Sequence, residues 1–416
     1  MRAEVKNYRP RVRYWRLMVT IPVVILAARG AGVVEGSVPL ALVQYGAVAA
    51  IAVAGLARQG GIGGTATFGA ASLVVIAAAS ALSAADPTAT LGSAGLLLVF
   101  VLFGFSSAKR WADRAVLLGD VRWVSRLLTV VLAVGLVGHF TSAAFAAPAT
   151  LDRYQGVLFN PNYAGIAAAL AFLGTLIARV RAAEVLLLAP VSALALMLSG
   201  SRGAIAATLV GLLVLLLQSR SLGRLVPYLW GTGVALTVTA MLRPDFFGYI
   251  TQYALQVRDA SDPTSGRADI YSMFWNRFLE QPLLGVGFGG AELTLGSGSL
   301  RGSYVILTHN VYLTVLVELG IVGAVAFGIF LWGVVRSAGR QSPFAALFVA
   351  VLVFELTETT LFGFGNPVAL VEWIAVFAYA ASGSQLQPSA GLTDPIPVGA
   401  VGHVGGELPL GQRLSG

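Results

Sequence analysis

Runs of about twenty apolar residues, parted by short polar breaks, recur from residue 17 to residue 382. A bilayer core of about 30 Å needs roughly that length of helix. The pattern predicts twelve spans: 17–34, 38–57, 66–85, 91–108, 124–145, 162–179, 184–199, 202–218, 225–242, 309–335, 343–362 and 366–382. One interval breaks the rhythm. Residues 243–308 form a long polar connection, and within it SGRADIYSMFWNRFLEQP sets Ile270, Phe274 and Phe278 at helical spacing with Trp275 beside them. Ser265 suits an N-cap, Asp269 falls in the first turn and Pro282 ends the run. This segment reads as an amphipathic helix at the membrane interface. The Gly-rich stretches GVGFGG (285–290) and GSGSLRGS (296–303) follow it as loop.

Composition turns the pattern into a class. Hydrophobic residues make up 57% of the 416 and charged residues 11%, against roughly a quarter charged in soluble proteins. The fold class is all-α and polytopic, with about twelve membrane helices and one large outer loop. Residues 1–16 form a basic N-terminus, 17–145 hold spans 1–5, and 146–335 form a core of spans 6–10 that includes the loop 243–308. Spans 11 and 12 occupy 336–382, and 383–416, rich in Gly, Pro and Ser, reads as a disordered tail. YRPRVRYWR before span 1 resembles the start of a signal peptide, but eleven further spans make that segment an anchor.

Charge sets the orientation. With the N-terminus inside, 19 of the 27 Lys and Arg residues fall on the inner side and seven on the outer, five of those seven in the long loop. By the positive-inside rule both termini are cytoplasmic. The net charge of +8 is thereby a matter of topology, and nucleic acid is not an expected partner. Cysteine is absent, which excludes disulfides and thiolate chemistry. His139, His309 and His403 lie far apart with no local carboxylate cluster, so neither a metal site nor a cofactor is expected.

Three outer-face features carry candidate chemistry. In LSGSRGA (198–204), Ser199, Ser201 and Arg202 sit at the start of span 8, where free backbone N–H groups and a guanidinium make an anion site; an arginine snorkelling to lipid headgroups is the plain alternative. Arg267 follows Ser265 and Gly266 at the start of the loop helix with the same ingredients, or as an ordinary exposed arginine. Thr308 is placed to cap span 10, with His309 and Asn310 in its first turn. A neutral histidine there can take a proton as general base, or be a polar interfacial residue. Asn160 and Asn162 in FNPNYAG suit the lining of the same cavity, or a turn made by Pro161. Glu318, Glu355, Glu358 and Glu372 are carboxylates inside apolar runs, functional hypotheses by default. Glu355 and Glu358, at i,i+3, would share one helix face, which favours an ion-coupled transporter or a lipid-glycan flippase as the rival class.

Taken in order, SGSRGAIAATLVGLLVLLL, SGRADIYSMFWNRFLEQPLLGVGFG and THNVYLTVLVELGIVG resemble the O-antigen ligase and polymerase family of bacterial envelope glycosyltransferases, and FNPNYAG matches the usual run-in. The resemblance covers about residues 150–335. It implies a GT-C-like enzyme of the bacterial inner membrane, its site facing outward among membrane lipids. Such enzymes transfer a glycan from undecaprenyl pyrophosphate to a hydroxyl of a lipid core or of another glycan, with inversion and without metal. It further implies that Arg202 and Arg267 hold the pyrophosphate and His309 is the base. Ligase and polymerase both remain open.

Overall fold

The structure is a computed structural model that describes residues 14–25, 45–53, 64–141, 153–218 except 159, 179 and 180, 267–291, 307–364 except 340, and 366–383, with three isolated positions between 233 and 248. The predicted span 225–242 apart from positions 233 and 237, the cap Ser265 and the tail lie outside these residues. Every regular element described is helical: α1 (Tyr14–Ile25), α2 (45–53), α3 (Gly64–Ala79, with a 3₁₀ turn to Leu82), α4 (Pro87–Arg110), α5 (Arg114–Thr141), α6 (Pro161–Ile177), α7 (Ala182–Ser199), α8 (Arg202–Gln218), α9 (Arg267–Glu280), α10 (Val311–Ser337), α11 (Ala345–Phe354) and α12 (Pro367–Ala381). Four segments, Gly64–Leu82, Pro87–Arg110, Arg114–Thr141 and Val311–Ser337, are long and apolar enough to cross a membrane. The chain is a helical membrane protein.

Local chemistry moves several predicted ends. Helix α5 starts ten residues before the predicted span because Asp113 caps it, its carboxylate accepting from Ala115 N at 2.8 Å. Span 11 stops at Phe354, well short of 362, because the Glu355 carboxylate accepts from the backbone N–H groups of Thr360 and Leu361 and folds the chain into a turn. Glu355 and Glu358 therefore do not share a helix face. Packing between α3 and α10 is close: a Cβ at Gly69 would strike the backbone of Phe330, and one at Gly333 the backbone of Ala66. Small residues allow this approach in membrane bundles.

The largest departure is in α10, which is not one straight span. Gly320 has φ +65°, ψ −166° inside it. In an unbroken helix Ile321 N would donate to Val317 O and Val322 N to Glu318 O. Here residues 282–287 take both halves. Val286 N and Gly287 N donate to Val317 O and Glu318 O (2.9 and 3.0 Å), while Ile321 N and Val322 N donate to Pro282 O and Leu283 O (2.8 and 3.3 Å). The bend is large: the Tyr312 and Phe327 rings lie 6.3 Å apart, although fifteen residues of straight helix would separate them by about 22 Å along the axis. The first half of α10 is thus turned back on the second.

Helix α9 forms as expected and ends before Pro282. Its apolar stripe does not face lipid, however. Phe274 and Phe278 pack with Val286, Ala291 and Val317, and with Leu313 and Leu316 of α10. Trp275 and Leu279 point outward instead, 48% and 56% exposed. Helix α9, the strap 282–287 and the first half of α10 therefore share a small core of their own.

Candidate functional site

Four helix starts and one turn meet at the same end of the bundle. At the start of α6, Asn160 is the N-cap, its side chain accepting from Asn162 N at 2.8 Å. Asn160 therefore fixes the helix start, whereas Asn162, one turn position on, projects into the site. Helices α7 and α8 are joined by Gly200, left-handed at φ +57°, and Ser201. Ser199 and Ser201 are buried, and their hydroxyls serve this turn: Ser199 Oγ donates to Leu196 O and accepts from Ser201 N, and Ser201 Oγ accepts from Ala204 N. They shape the start of α8 and do not face outward. Arg202 is exposed at the first position of α8, and the next residue, Gly203, lies directly against Thr357.

Asn310, not Thr308, caps α10: its side chain accepts from Leu313 N at 3.0 Å and donates to Leu356 O at 3.2 Å. This corrects the expected register. His309 precedes the helix instead of sitting in its first turn, and it holds φ +50°, the sole positive-φ non-glycine residue among those described. A left-handed side-chain-bearing residue costs about 1–3 kcal/mol and is kept only where its surroundings over-determine it. Here the surroundings are visible. The Tyr271 hydroxyl of α9 lies 3.2 Å from His309 O and 3.4 Å from Leu356 O.

The turn after α11 supplies the common partner. Glu358 is 4% exposed at its side chain. Its Oε1 accepts from Asn162 Nδ2 at 2.6 Å and from an Arg267 guanidinium nitrogen at 3.0 Å. Its Oε2 lies 3.2 Å from His309 Nδ1. Residues 162, 267 and 309, remote in sequence, thus converge on one carboxylate. A buried carboxylate needs such pairing, since desolvation is otherwise costly. Arg153 extends the network: its Nε donates to Ser199 O at 2.7 Å and a terminal nitrogen to Asn162 Oδ1 at 2.9 Å. In the sequence Arg153 is one more outer arginine, and Glu358 lies 49 residues from His309. No spacing in the sequence announces either.

With Nδ1 turned to Glu358, the imidazole leaves Nε2 for the site, and in a neutral ring that nitrogen is the acceptor, the arrangement of an oriented base. The Arg267 guanidinium and the Arg153–Asn162 pair share the Glu358 cluster, and the start of α8 reaches the same turn through Gly203 against Thr357. Beside this cluster a cavity is lined by Ser93, Phe274, Phe288, Thr308, Thr314 and Glu318 among others, so Glu318 lies in the wall of the cavity next door. Its carboxylate accepts from the backbone N–H of Ala291 at 3.4 Å.

A family model described as O-antigen ligase matches residues 185–328, a segment that includes Arg202, Arg267 and His309 but neither Asn162 nor Glu358. No curated protein matches the chain.

Proposed function

Residues 185–328 belong to the O-antigen ligase family, and from that premise we propose that the chain is a membrane glycosyltransferase. It moves a glycan from an undecaprenyl-pyrophosphate carrier to an acceptor hydroxyl at the outer face of the cytoplasmic membrane. The observation that carries this reading is the convergence of Asn162, Arg267 and His309 on Glu358.

The reaction asks for two things: removal of a proton from a weak nucleophile, and compensation of charge on a pyrophosphate leaving group. Glu358 holds the imidazole through Nδ1, and Nε2 takes the proton of the acceptor hydroxyl. The freed oxygen attacks the anomeric carbon as the bond from that carbon to the pyrophosphate oxygen breaks. Attack opposite the leaving group inverts the centre. Negative charge then grows on the pyrophosphate, where Arg267 and Arg202 meet it with the N–H groups at the start of α8. Charge-assisted hydrogen bonds contribute about 1.5–3 kcal/mol each, so two arginines supply a substantial part of the barrier reduction without a cofactor. In the resting protein Glu358 stands where Arg267 would otherwise face water. An arriving pyrophosphate competes for that guanidinium and leaves Glu358 to the imidazole.

Purified protein with lipid-linked glycan and a panel of acceptors, lipid cores on one side and lipid-linked glycans on the other, tests the proposal. Transfer by the wild type and none above background by His309→Ala, with the variant still folded in detergent, is the expected result. Undiminished transfer by that variant would remove His309 as the base. The acceptor that is used separates ligase from polymerase.

A further inference from the structure

Two carboxyl groups near the site are left unused by the transfer chemistry. Glu355, at the end of α11, and Glu372, in α12, are both 0% exposed. Thr360 stands between them, its hydroxyl oxygen against Glu355 Oε1 and 2.7 Å from Glu372 Oε1. A hydroxyl has one hydrogen to donate, so it cannot serve both carboxylates. Glu355 Oε1 also accepts from Thr360 N and Leu361 N, each at 3.1 Å, which marks that oxygen as an acceptor that carries no hydrogen of its own. The Thr360 hydrogen then belongs to Glu355. The contact to Glu372 needs a hydrogen from the other side, from a protonated Glu372 carboxyl. The remaining oxygens agree: Oε2 of both residues has no hydrogen-bond partner among the described residues, and two adjacent buried charges there would go uncompensated.

We propose that Glu372 carries a proton in the resting protein, and that the Glu355–Thr360–Glu372 link positions Glu358. The link closes the turn 355–361 onto the bundle. Trp373 Nε1 donates to Leu361 O at 2.9 Å and secures its far end. Val311 N donates to Glu355 O at 3.0 Å, and Asn310 Nδ2 to Leu356 O, so the start of α10 is tied to the same turn. The buried acid thus sets where Glu358 meets His309 and Arg267. It touches neither substrate nor reacting atoms and acts through the turn that carries Glu358 and holds the start of α10.

Only the kinetic arm of the test rests on the transferase reading. Infrared difference spectra between the wild type and Glu372→Gln should show a protonated carboxyl stretch that the variant lacks. In protein labelled with ¹⁵N-histidine, the His309 Nδ1 signal of a carboxylate-bonded imidazole should persist in Glu372→Gln, whose amide can donate to Thr360, and shift in Glu372→Ala. In the transfer assay kcat should stay within about twofold for Glu372→Gln and fall about tenfold or more for Glu372→Ala. A protonated-carboxyl band unchanged in Glu372→Gln overturns the proton assignment. A His309 signal indifferent to Glu372→Ala, or Glu372→Gln as impaired as Glu372→Ala, overturns the positioning role. Spectra as expected in a protein that transfers no glycan would instead count against the transferase reading.

Discussion

At the scale of single residues, Glu358 decides how His309 works. The carboxylate bonds one imidazole nitrogen, the guanidinium of Arg267 and the amide of Asn162 at once. Glu358→Gln keeps the shape but cannot accept as an anion, so it should lower kcat by about 10–10²-fold, less than the 10²–10⁴-fold that a general base contributes. The donor KM should change little or improve, because Arg267 is released. A kcat equal to wild type would show that the imidazole needs no orienting partner. Arg267 makes a different demand. Its fork is suited to two phosphate oxygens, and Lys supplies a point charge only. Arg267→Lys should therefore keep measurable transfer while Arg267→Ala loses nearly all, with the donor KM as the quantity to follow. Arg267 and His309 were legible in the sequence because polar groups are rare in an apolar chain and helix starts are readable from Ser, Thr, Gly and Asn. Their meeting point was not. Hydropathy runs straight through Glu355 and Glu358 as though both lay on one helix, and only the turn built on the Glu355 carboxylate sends them to different surroundings.

At the scale of elements, the break in α10 takes His309 off the top of a straight span and sets it beside Glu358 of the turn after α11. The apolar run from Val311 to Val335 gives no hint of it, because glycine is common in membrane helices and the hydrogen bonds that replace the lost ones come from residues 282–287. Irregular backbone at this depth survives only where protein satisfies it, and the strap does so. Gly320 is the required hinge: its φ is +65°, and a Cβ there would strike Leu283. Gly320→Ala should cost about 1–3 kcal/mol for a backbone conformation that side-chain-bearing residues avoid and more for the collision. The thermal midpoint in detergent should fall, and transfer with it, since the strap and the start of α10 carry His309. Gly328→Ala is the matched control, in the same helix with open space at its Cβ, and should leave the midpoint unchanged or raise it.

At the scale of the whole molecule, the proposal depends on which side of the membrane the site faces, and the two ends of α4 can report it. The turn before α4 belongs to the site's end of the bundle. Ser83 Oγ donates to Gly285 O at 3.2 Å, Phe288 N donates to Ser80 Oγ at 3.0 Å, and the same strap pairs with the break in α10. The other end of α4 carries Lys109 and Arg110 and leads to the Asp120 cluster, where Arg16 and Arg110 both pair with a buried carboxylate. Charge bias assigns that basic end to the cytoplasm. The chain has no cysteine, so single cysteines report without background. Ala85 and Ala112 are both exposed and stand at opposite ends of α4. In intact cells a membrane-impermeant maleimide should label Ala85→Cys at once and Ala112→Cys only after permeabilisation. The opposite pattern would place His309, Arg267 and Glu358 on the cytoplasmic side. A pyrophosphate-linked glycan presented at the outer face could then not reach them, and transfer at that face would have to be abandoned whatever the chemistry of the cluster.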